Sequence, residues 1–434
     1  MLKQIETSDS YNLPRLRARR VHAYAASFTD EIANELISSY TKEGEICLDP
    51  FSGAATSLIQ ARLLKRSAIG IDIDPIACLI ARVVTTSYSI EDINAVYEKV
   101  TGQLAEVKII LEDLFPNSSP DIVVNSFPFN HSEICVPNDD NISFWFAPIQ
   151  RALLAALVYI SKSINDPKNK RIIDLAISSA IIHKWPYTLS QARDIDHSRP
   201  HRVLRDNLTV DSQIQIFYRA LNNILRSLRK LNKLSTTNVD LKVIEDNAVE
   251  AINKLEPASI HYVITSPPYF NAIDYPRSHK FSQRWLWPQS GHKFNRKLYI
   301  GLKAGKAAPG LAEAMANLIP SNVASISPLE KISRSKYFAL CQYVNDLDSI
   351  INGIAYVLKP KRNLSFILSN NIIGGAEVPI VDIVIELLRR RGFQAITAEK
   401  RKIMPNRRRY PFGIRGFKGL MENEYIINAI AASK

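Results

Sequence analysis

Residues 45–75 read EICLDPFSGAATSLIQARLLKRSAIGIDIDP. The stretch opens on a short apolar run, EICLD at 45–49, with the length of a buried strand. A tight turn follows, Pro50-Phe51-Ser52-Gly53-Ala54-Ala55-Thr56. SLIQARLLK then has helical spacing, SAIGIDID at 67–74 is a second apolar strand, and PIACLIARVV is helical again. Strand, turn, helix and strand make a βαβ unit, the building block of a parallel sheet.

The pattern resumes much later in the chain. DLKVIEDNA (240–248) is strand-like, AINKL is a short helix, and IHYVIT (260–265) is a strand. Residues 337–358 have helical periodicity and stop before Lys359-Pro360, because the residue before a proline is pushed out of the helical region. NLSFILSN (363–370) is a strand, and VDIVIELLRRRG is a helix closed by glycine. QAITAEKRKI and EYIINAIAA are the last strands. About seven strands alternating with helices predict an α/β fold with a mostly parallel sheet.

Two regions interrupt the alternation. Residues 110–235 are mostly helical by pattern, as in FWFAPIQRALLAALVYISKSI and SQIQIFYRALNNILRSLRKLNK. Residues 270–335 have little periodicity and many basic, aromatic and proline positions. The expected organisation is therefore one α/β domain in two halves, 1–110 and 239–434. A helical insert at 111–238 separates them, and a loop insert at 270–335 lies in the second half.

Composition narrows the function. The chain has 434 residues and is 46% hydrophobic, enough for a large core and against global disorder. Lys and Arg number 55 against 42 Asp and Glu, a net charge of +13, which favours a polyanionic partner, nucleic acid before membrane. Cys47, Cys78, Cys135 and Cys341 have no CxxC spacing. They argue against a zinc knuckle or a disulfide framework and fit a reducing compartment. With no signal-peptide pattern and no long apolar run, a soluble cytoplasmic protein is expected.

The turn after EICLD places backbone N–H groups and a small residue where a ligand can approach. Asp72, 19 residues beyond Gly53, ends the adjacent strand, where nucleotide-binding α/β folds grip ribose hydroxyls with a carboxylate. The glycine-rich pyrophosphate fingerprint is missing. A nucleoside cofactor without phosphate, S-adenosylmethionine, fits better.

A second tip ends the strand at 260–265, in Thr265-Ser266-Pro267-Pro268-Tyr269. The exocyclic amine of cytosine or adenine is a poor nucleophile, because its lone pair is delocalised into the ring. Two acceptors placed on its N–H bonds draw the nitrogen toward tetrahedral geometry. The Ser266 hydroxyl is one such acceptor and the Pro267 carbonyl is another, in a backbone stiffened by two fixed φ angles. Tyr269 offers a face for a base taken out of the stack. Catalysis of this kind is positioning and electrostatics, not covalent chemistry.

DPFSGAAT with IGIDIDP resembles the cofactor motifs of the S-adenosylmethionine-dependent amino-methyltransferases of DNA, and TSPPY resembles their catalytic (D/N/S)PPY motif. Serine in first place is commoner among the N4-cytosine enzymes. His22-Ala23-Tyr24-Ala25-Ala26-Ser27-Phe28 is similar to the family segment that helps hold the methionine end of the cofactor. Asp246-Asn247 stands where the family has an acidic residue near the adenine, and VLKPKRNLSFIL resembles its helix-to-strand turn without the glycines. Ala54 and Ala55 replace glycines usual in the family, so the turn has less room. The resemblance covers roughly residues 20–85 and 240–434, more than half of the chain.

It implies a Rossmann-like class I methyltransferase fold with a seven-stranded sheet. Tyr24, Asp49, Phe51, Ser52, Gly53, Thr56, Asp72 and Asp246 would hold S-adenosylmethionine. Ser266, Pro267, Pro268 and Tyr269 would carry catalysis on a flipped base. The expected reaction is site-specific methylation of double-stranded DNA, at cytosine N4 before adenine N6, in a restriction-modification system whose nuclease is a separate protein. The order of the motifs makes the insert the expected target-recognition region.

Competing readings leave specific marks. Asp121-Ile122-Val123-Val124-Asn125-Ser126-Phe127-Pro128-Phe129-Asn130 also ends a strand in Asn, Pro and Phe, but lacks the second proline. Cytosine C5 chemistry needs a cysteine nucleophile, usually after proline, and no cysteine here follows one. RNA guanine methyltransferases share a similar tip but generally carry an RNA-binding domain ahead of the cofactor motif, where only about 40 residues stand here. A non-catalytic binding module would not need Ser266 and Tyr269. Candidate phosphate contacts are Arg15, Arg17, Arg19 and Arg20, then Arg277 and Lys280, and then Arg407, Arg408 and Arg409. Lone histidines such as His183 and His201 show no metal-ligand spacing, and methyl transfer needs no metal.

Overall fold

In a computed structural model of the chain, the seven strands expected from sequence lie in one sheet. The structure describes residues 21–24, 28–116, 140–183, 186–192, 208–234, 239–270, 274–288, 298–301, 334–373, 376–403 and 423–433. Helix α1 (Asp30–Tyr40) precedes β1 (Ile46–Asp49), α2 (Thr56–Leu63), β2 (Ser67–Asp72) and α3 (Pro75–Thr85). A helical stretch follows: α4 (Ile90–Leu114), α5 (Asp140–Trp145), α6 (Pro148–Lys162), α7 (Pro167–Ile181) and α8 (Val210–Leu234). The alternation returns with β3 (Leu241–Glu245), α9 (Ala248–Ile252), β4 (Tyr262–Thr265), α10 (Tyr275–Leu286), α11 (Arg334–Val357) and β5 (Asn363–Leu368). A hairpin, β6 (Asn371–Ile373) and β7 (Ala376–Val378), leads to α12 (Ile380–Arg390), β8 (Gln394–Lys402) and β9 (Asn423–Ile430).

The strand order is β3-β2-β1-β4-β5-β9-β8. Strands β3 to β5 are parallel neighbours, and β9 runs antiparallel between β5 and β8. This is the Rossmann-like, class I methyltransferase arrangement. Its strand order reverses between β1 and β4, and such a switch point opens a crevice at the carboxyl ends of the two strands. The DPFSGAAT turn leaves the end of β1 and the TSPPY tip leaves the end of β4. Topology thus brings together two motifs more than 200 positions apart.

Side chains alternate across the sheet and feed two cores. In β4, Tyr262 and Ile264 face one core while Val263 faces the other. The first core takes α1 to α8 and α10; the second takes α9, α11 and α12. The insert helices therefore share a core with α3 and α10. Helix α6 is buried nearly all round because ALLAALV (152–158) has small or aliphatic side chains on every face. Helix α8 is amphipathic, burying Phe217, Leu221, Ile224, Leu228 and Leu231 at three- and four-residue intervals. Helix α4 continues past residue 110, where the insert was expected to begin, to Leu114.

Three helices were not legible in sequence: α1, α4 and α10. Helix α10 lies inside the span read as a loop. Its buried face mixes Phe281, Trp285 and Leu286 with Ser278, His279, Ser282 and Gln283, so polar side chains blur the apolar period. Its start is well marked: the Asp274 carboxylate accepts from the Arg277 N–H at 3.1 Å, and Pro276 lies in the first turn. Among the described residues, no helix is long and apolar enough to cross a membrane.

Candidate active site

The ends of β1, β2 and β4 border a pocket of about 620 Å³, solvent-open mouth included, a volume typical of ligand clefts. Tyr24, Phe51, Gly53 and Asp72 line it from the expected cofactor side. Ser266 and Pro268 line it from the expected catalytic side. Asp74, Asn247, Tyr275 and Tyr299 also contribute, and none of them was among the expected site residues. Asp74 and Asn247 could have been found, since each stands beside an expected site residue. Tyr275 belongs to the aromatic and basic segment that directly follows the TSPPY tip, whereas Tyr299 had no signal, because it comes from the span without legible period.

The cofactor-side turn is held by carboxylates. Asp72 accepts from the Gly53 N–H at 2.8 Å and from the Asp74 N–H at 2.9 Å. Burial pushes its carboxyl up to about 7, and the Asp74 charge adds to the rise, while these two N–H bonds oppose it. Asp49 is fully enclosed. It accepts from the Phe51 N–H at 3.1 Å, from the Thr265 hydroxyl at 2.7 Å and from the Ser57 hydroxyl. Burial lifts its carboxyl to about 6 against those three bonds. Asp49 was expected to touch the cofactor; it lies outside the pocket lining, and its oxygens instead tie the β1 turn to the β4 tip.

Two positions in the turn need particular backbones. Gly53 has φ +46°, and a Cβ there would come within 3.1 Å of the Tyr24 ring. At Gly70 a Cβ would meet Leu58 and the Ser52 side chain at 2.8–2.9 Å, so glycine lets α2 settle on β2. Ala55, which replaces a family glycine, caps α2 in the left-handed region at φ 63°. An L-residue there costs about 1–2 kcal/mol. The buried methyl returns roughly 0.8 kcal/mol. The turn thus forms without the glycine at a net cost of at most about 1 kcal/mol.

The remaining expected residues fall elsewhere. Ser52 and Thr56 are buried but do not line the pocket. Asp246 turns its carboxylate to Lys254 at 2.7 Å, which holds it below the usual range, and leaves Asn247 facing the pocket. Asp246 still matters to the site, because its N–H donates to the Asp72 carbonyl at 3.1 Å. Pro267 and Tyr269 lie beside the pocket, not in its lining, and Tyr269 packs half-buried on the second core.

An aromatic wall backs the pocket. Tyr24 stacks on Tyr275 at 5.5 Å and lies 5.3 Å from the His279 ring. His279 Nδ1 pairs with the Asp74 carboxylate at 2.5 Å, joining α10 to the loop after β2. His22 Nε2 bonds the Ser178 hydroxyl of α7 at 2.9 Å, and burial lowers its pKa to about 3, so it is neutral.

Of the expected DNA contacts, Lys280 lies over the rings of Phe281 and Trp145, 4.4 Å and 5.3 Å from their centroids, and burial holds its ammonium below the usual range. It is a packed cation in this conformation, because its charge is already spread over aromatic faces. Arg277 is 40% exposed, with NH1 3.9 Å from Asp274. Arg15, Arg17, Arg19, Arg20, Arg407, Arg408 and Arg409 lie outside the described residues, as do Cys135 and the Asp121–Asn130 segment. Cys47, Cys78 and Cys341 are free and buried, and burial pushes the Cys47 thiol up to about 12, so none is poised as a nucleophile. Among the described residues, no group of His, Cys, Asp and Glu could hold a metal ion.

A family model described as "DNA methylase", for the N6/N4 methyltransferases, matches residues 3–82. The Type II methyltransferase M.BsoBI of Geobacillus stearothermophilus is 23% identical over 282 residues, 61% of this chain and 51% of that protein. The Type II methyltransferase M.MvaI of Kocuria varians is 20% identical over 405 residues, 90% of this chain and 84% of that protein. The chain thus spans about half the length of the first relative and most of the second. The crystal structure of TTHA0409 from Thermus thermophilus with S-adenosyl-L-methionine is 17% identical, covers 43% of this chain and 54% of that one, and has a TM-score of 0.24, too low to carry an argument.

Proposed function

From the chain's membership of the N4/N6 DNA methyltransferase family, we propose that it methylates an exocyclic base amine in double-stranded DNA, cytosine N4 in the first place, with S-adenosylmethionine as donor. One observation carries the reading: the pocket joins a serine-proline tip to a lining whose only charged side chains, among the described residues, are Asp72 and Asp74. A phosphate-bearing cofactor would be repelled there. A sulfonium nucleoside with a free ribose diol suits both carboxylates, so the residues present fit S-adenosylmethionine. When bound, it supplies an electrophilic methyl group.

Asp72 accepts the ribose hydroxyls, and Phe51, Gly53 and Tyr24 bound the rest of the nucleoside. Ser266 Oγ and the Pro267 carbonyl accept the two N–H bonds of the target amine. They draw its lone pair out of ring conjugation and aim it across the pocket. Tyr269 stacks on the extruded base, offsetting part of the few kcal/mol that unstacking costs. Ser266 in place of an acidic residue favours cytosine. The helical insert reads the target sequence, and Arg277 with the Arg407–Arg409 run meets phosphates. The relatives named Type II methyltransferases extend the reading to a restriction-modification role with a separate nuclease.

The test is nucleoside mass spectrometry of duplex DNA incubated with the protein and S-adenosylmethionine, with the Ser266→Ala variant alongside. N4-methylcytosine formed only by the unmodified protein is expected. N6-methyladenine would keep the mechanism and correct the base. Neither mark in DNA, with methylation of RNA instead, would refute the substrate.

A further inference from the structure

Strand β4 ends at Thr265, so Ser266 to Phe270 have left the sheet ladder. Pro267 and Pro268 have no N–H to anchor them. Proline fixes φ, and Pro268 keeps the ψ of Pro267 out of the helical region but still leaves it a span of tens of degrees, and ψ is what aims a carbonyl. The amine site proposed above depends on one carbonyl, that of Pro267, pointing correctly.

Two side chains from distant parts of the chain grip the peptide planes just beyond it. The Tyr343 hydroxyl, on α11, donates to the Pro268 carbonyl at 3.0 Å. Asn371 Nδ2, on β6, donates to the Phe270 carbonyl at 2.6 Å. Both side chains sit in the interior, 2% and 5% exposed. The Tyr343 ring also lies 5.4 Å from the Phe270 ring, so the phenol cannot swing away without breaking that packing. Burial raises the Tyr343 pKa, which keeps the hydroxyl a donor at any working pH. The Asn371 amide has one sensible orientation, since its oxygen would repel the Phe270 carbonyl. Asn370 next door accepts from the Val381 N–H at 3.0 Å, fastening β6 to α12.

We propose that Tyr343 and Asn371 are positioning residues of the amine site, clamping the Pro268 and Phe270 carbonyls so that the Pro267 carbonyl and Ser266 hydroxyl hold the geometry that activates the base amine. Neither touches the base or the cofactor. The proposal rests on the reading of function given above.

The test uses the full chain and the conservative variant Tyr343→Phe, which keeps the ring and removes only the hydroxyl, with Asn371→Ala as the second variant. For Tyr343→Phe, kcat for methyl transfer should fall about tenfold while KM for DNA and for S-adenosylmethionine stay within about twofold, as loss of preorganisation requires. Amide hydrogen exchange should quicken at Tyr269 and Phe270, the first N–H groups after the prolines, and stay unchanged in β1 and β5. Unchanged exchange at the tip overturns the clamp, as does faster exchange with normal kcat. A rise in KM alone, or faster exchange throughout the sheet, also overturns it. If the unmodified protein transfers no methyl group, the proposed function fails by itself, and the exchange contrast still decides whether the tip is clamped.

Discussion

Beyond β1, the Asp49–Thr56 turn is held by carboxylates that accept from its own backbone: Asp49 takes the Phe51 N–H, and Asp72 takes the Gly53 N–H 19 residues back. Beyond β4, the Ser266–Phe270 tip is held the other way round, by side chains that donate to its carbonyls, Tyr343 from 75 residues away and Asn371 from 101. The chemistry explains the difference. A turn that must receive a sulfonium nucleoside gains from anionic acceptors. A tip that must offer a carbonyl to an amine gains from donors fixing its neighbouring carbonyls. Local acceptors leave a motif in the sequence, whereas distant donors leave none.

The largest expected effect separates the two loops. Tyr269→Ala should lower kcat about a hundredfold or more while the Kd for S-adenosylmethionine changes by less than about twofold. Single-turnover methyl transfer beside calorimetric cofactor binding reads both. Normal turnover in this variant would remove the stacking role from Tyr269.

Asp72→Asn should do the reverse, weakening cofactor affinity about tenfold with kcat largely kept at saturating cofactor. The pH dependence sharpens this expectation. The free Asp72 carboxyl is raised from its usual 3.8 to about 7, and ribose hydroxyls donate better to the ionised form. Binding then favours loss of the proton, so affinity should be full above pH 7 and fall as pH drops through 7. Asp74, close by, and Asp49, raised to about 6, bear on the same titration. Calorimetry between pH 8 and pH 6 should show the fall in the unmodified protein and a flatter profile in Asp72→Asn. Equal profiles would place the titration on another group.

The smallest effect lies where the loops meet. Thr265→Val keeps the shape of β4 but takes one donor from the buried Asp49 carboxylate, a loss of about 1–3 kcal/mol in stability. Chemical denaturation reads it, and both cofactor affinity and kcat should decline modestly together. A change in only one would mean that the Asp49 bridge does not couple the turn to the tip.

Much of the sheet was legible because buried strands must be continuous apolar runs. EICLD, SAIGIDID, IHYVIT and NLSFILSN correspond to β1, β2, β4 and β5, and the end strands β8 and β9 also fall where expected. The β6–β7 hairpin was not read, since NII and AEV are too short to show a period. Helix α10 was hidden by its buried serines, glutamine and histidine, two of which have remote partners: His279 meets Asp74 and Ser282 meets Ser178. Asp49 and Asp246 show the limit at the site itself. Sequence position put both beside the cofactor. Folding gives Asp49 three internal donors and Asp246 a lysine, and those bonds turn the carboxylates away from the pocket.

The sequence by itself determined the α/β alternation, the two motif-bearing strand ends and the residue types they carry, because these depend on hydrophobic period and on neighbours a few positions apart. Only the tertiary structure decided that the two ends adjoin at the switch point, that Asp74, Asn247, Tyr275 and Tyr299 complete the pocket, and that Tyr343 and Asn371 hold the tip. Those facts depend on strand order and on hydrogen bonds between residues scores of positions apart, and no local pattern records them.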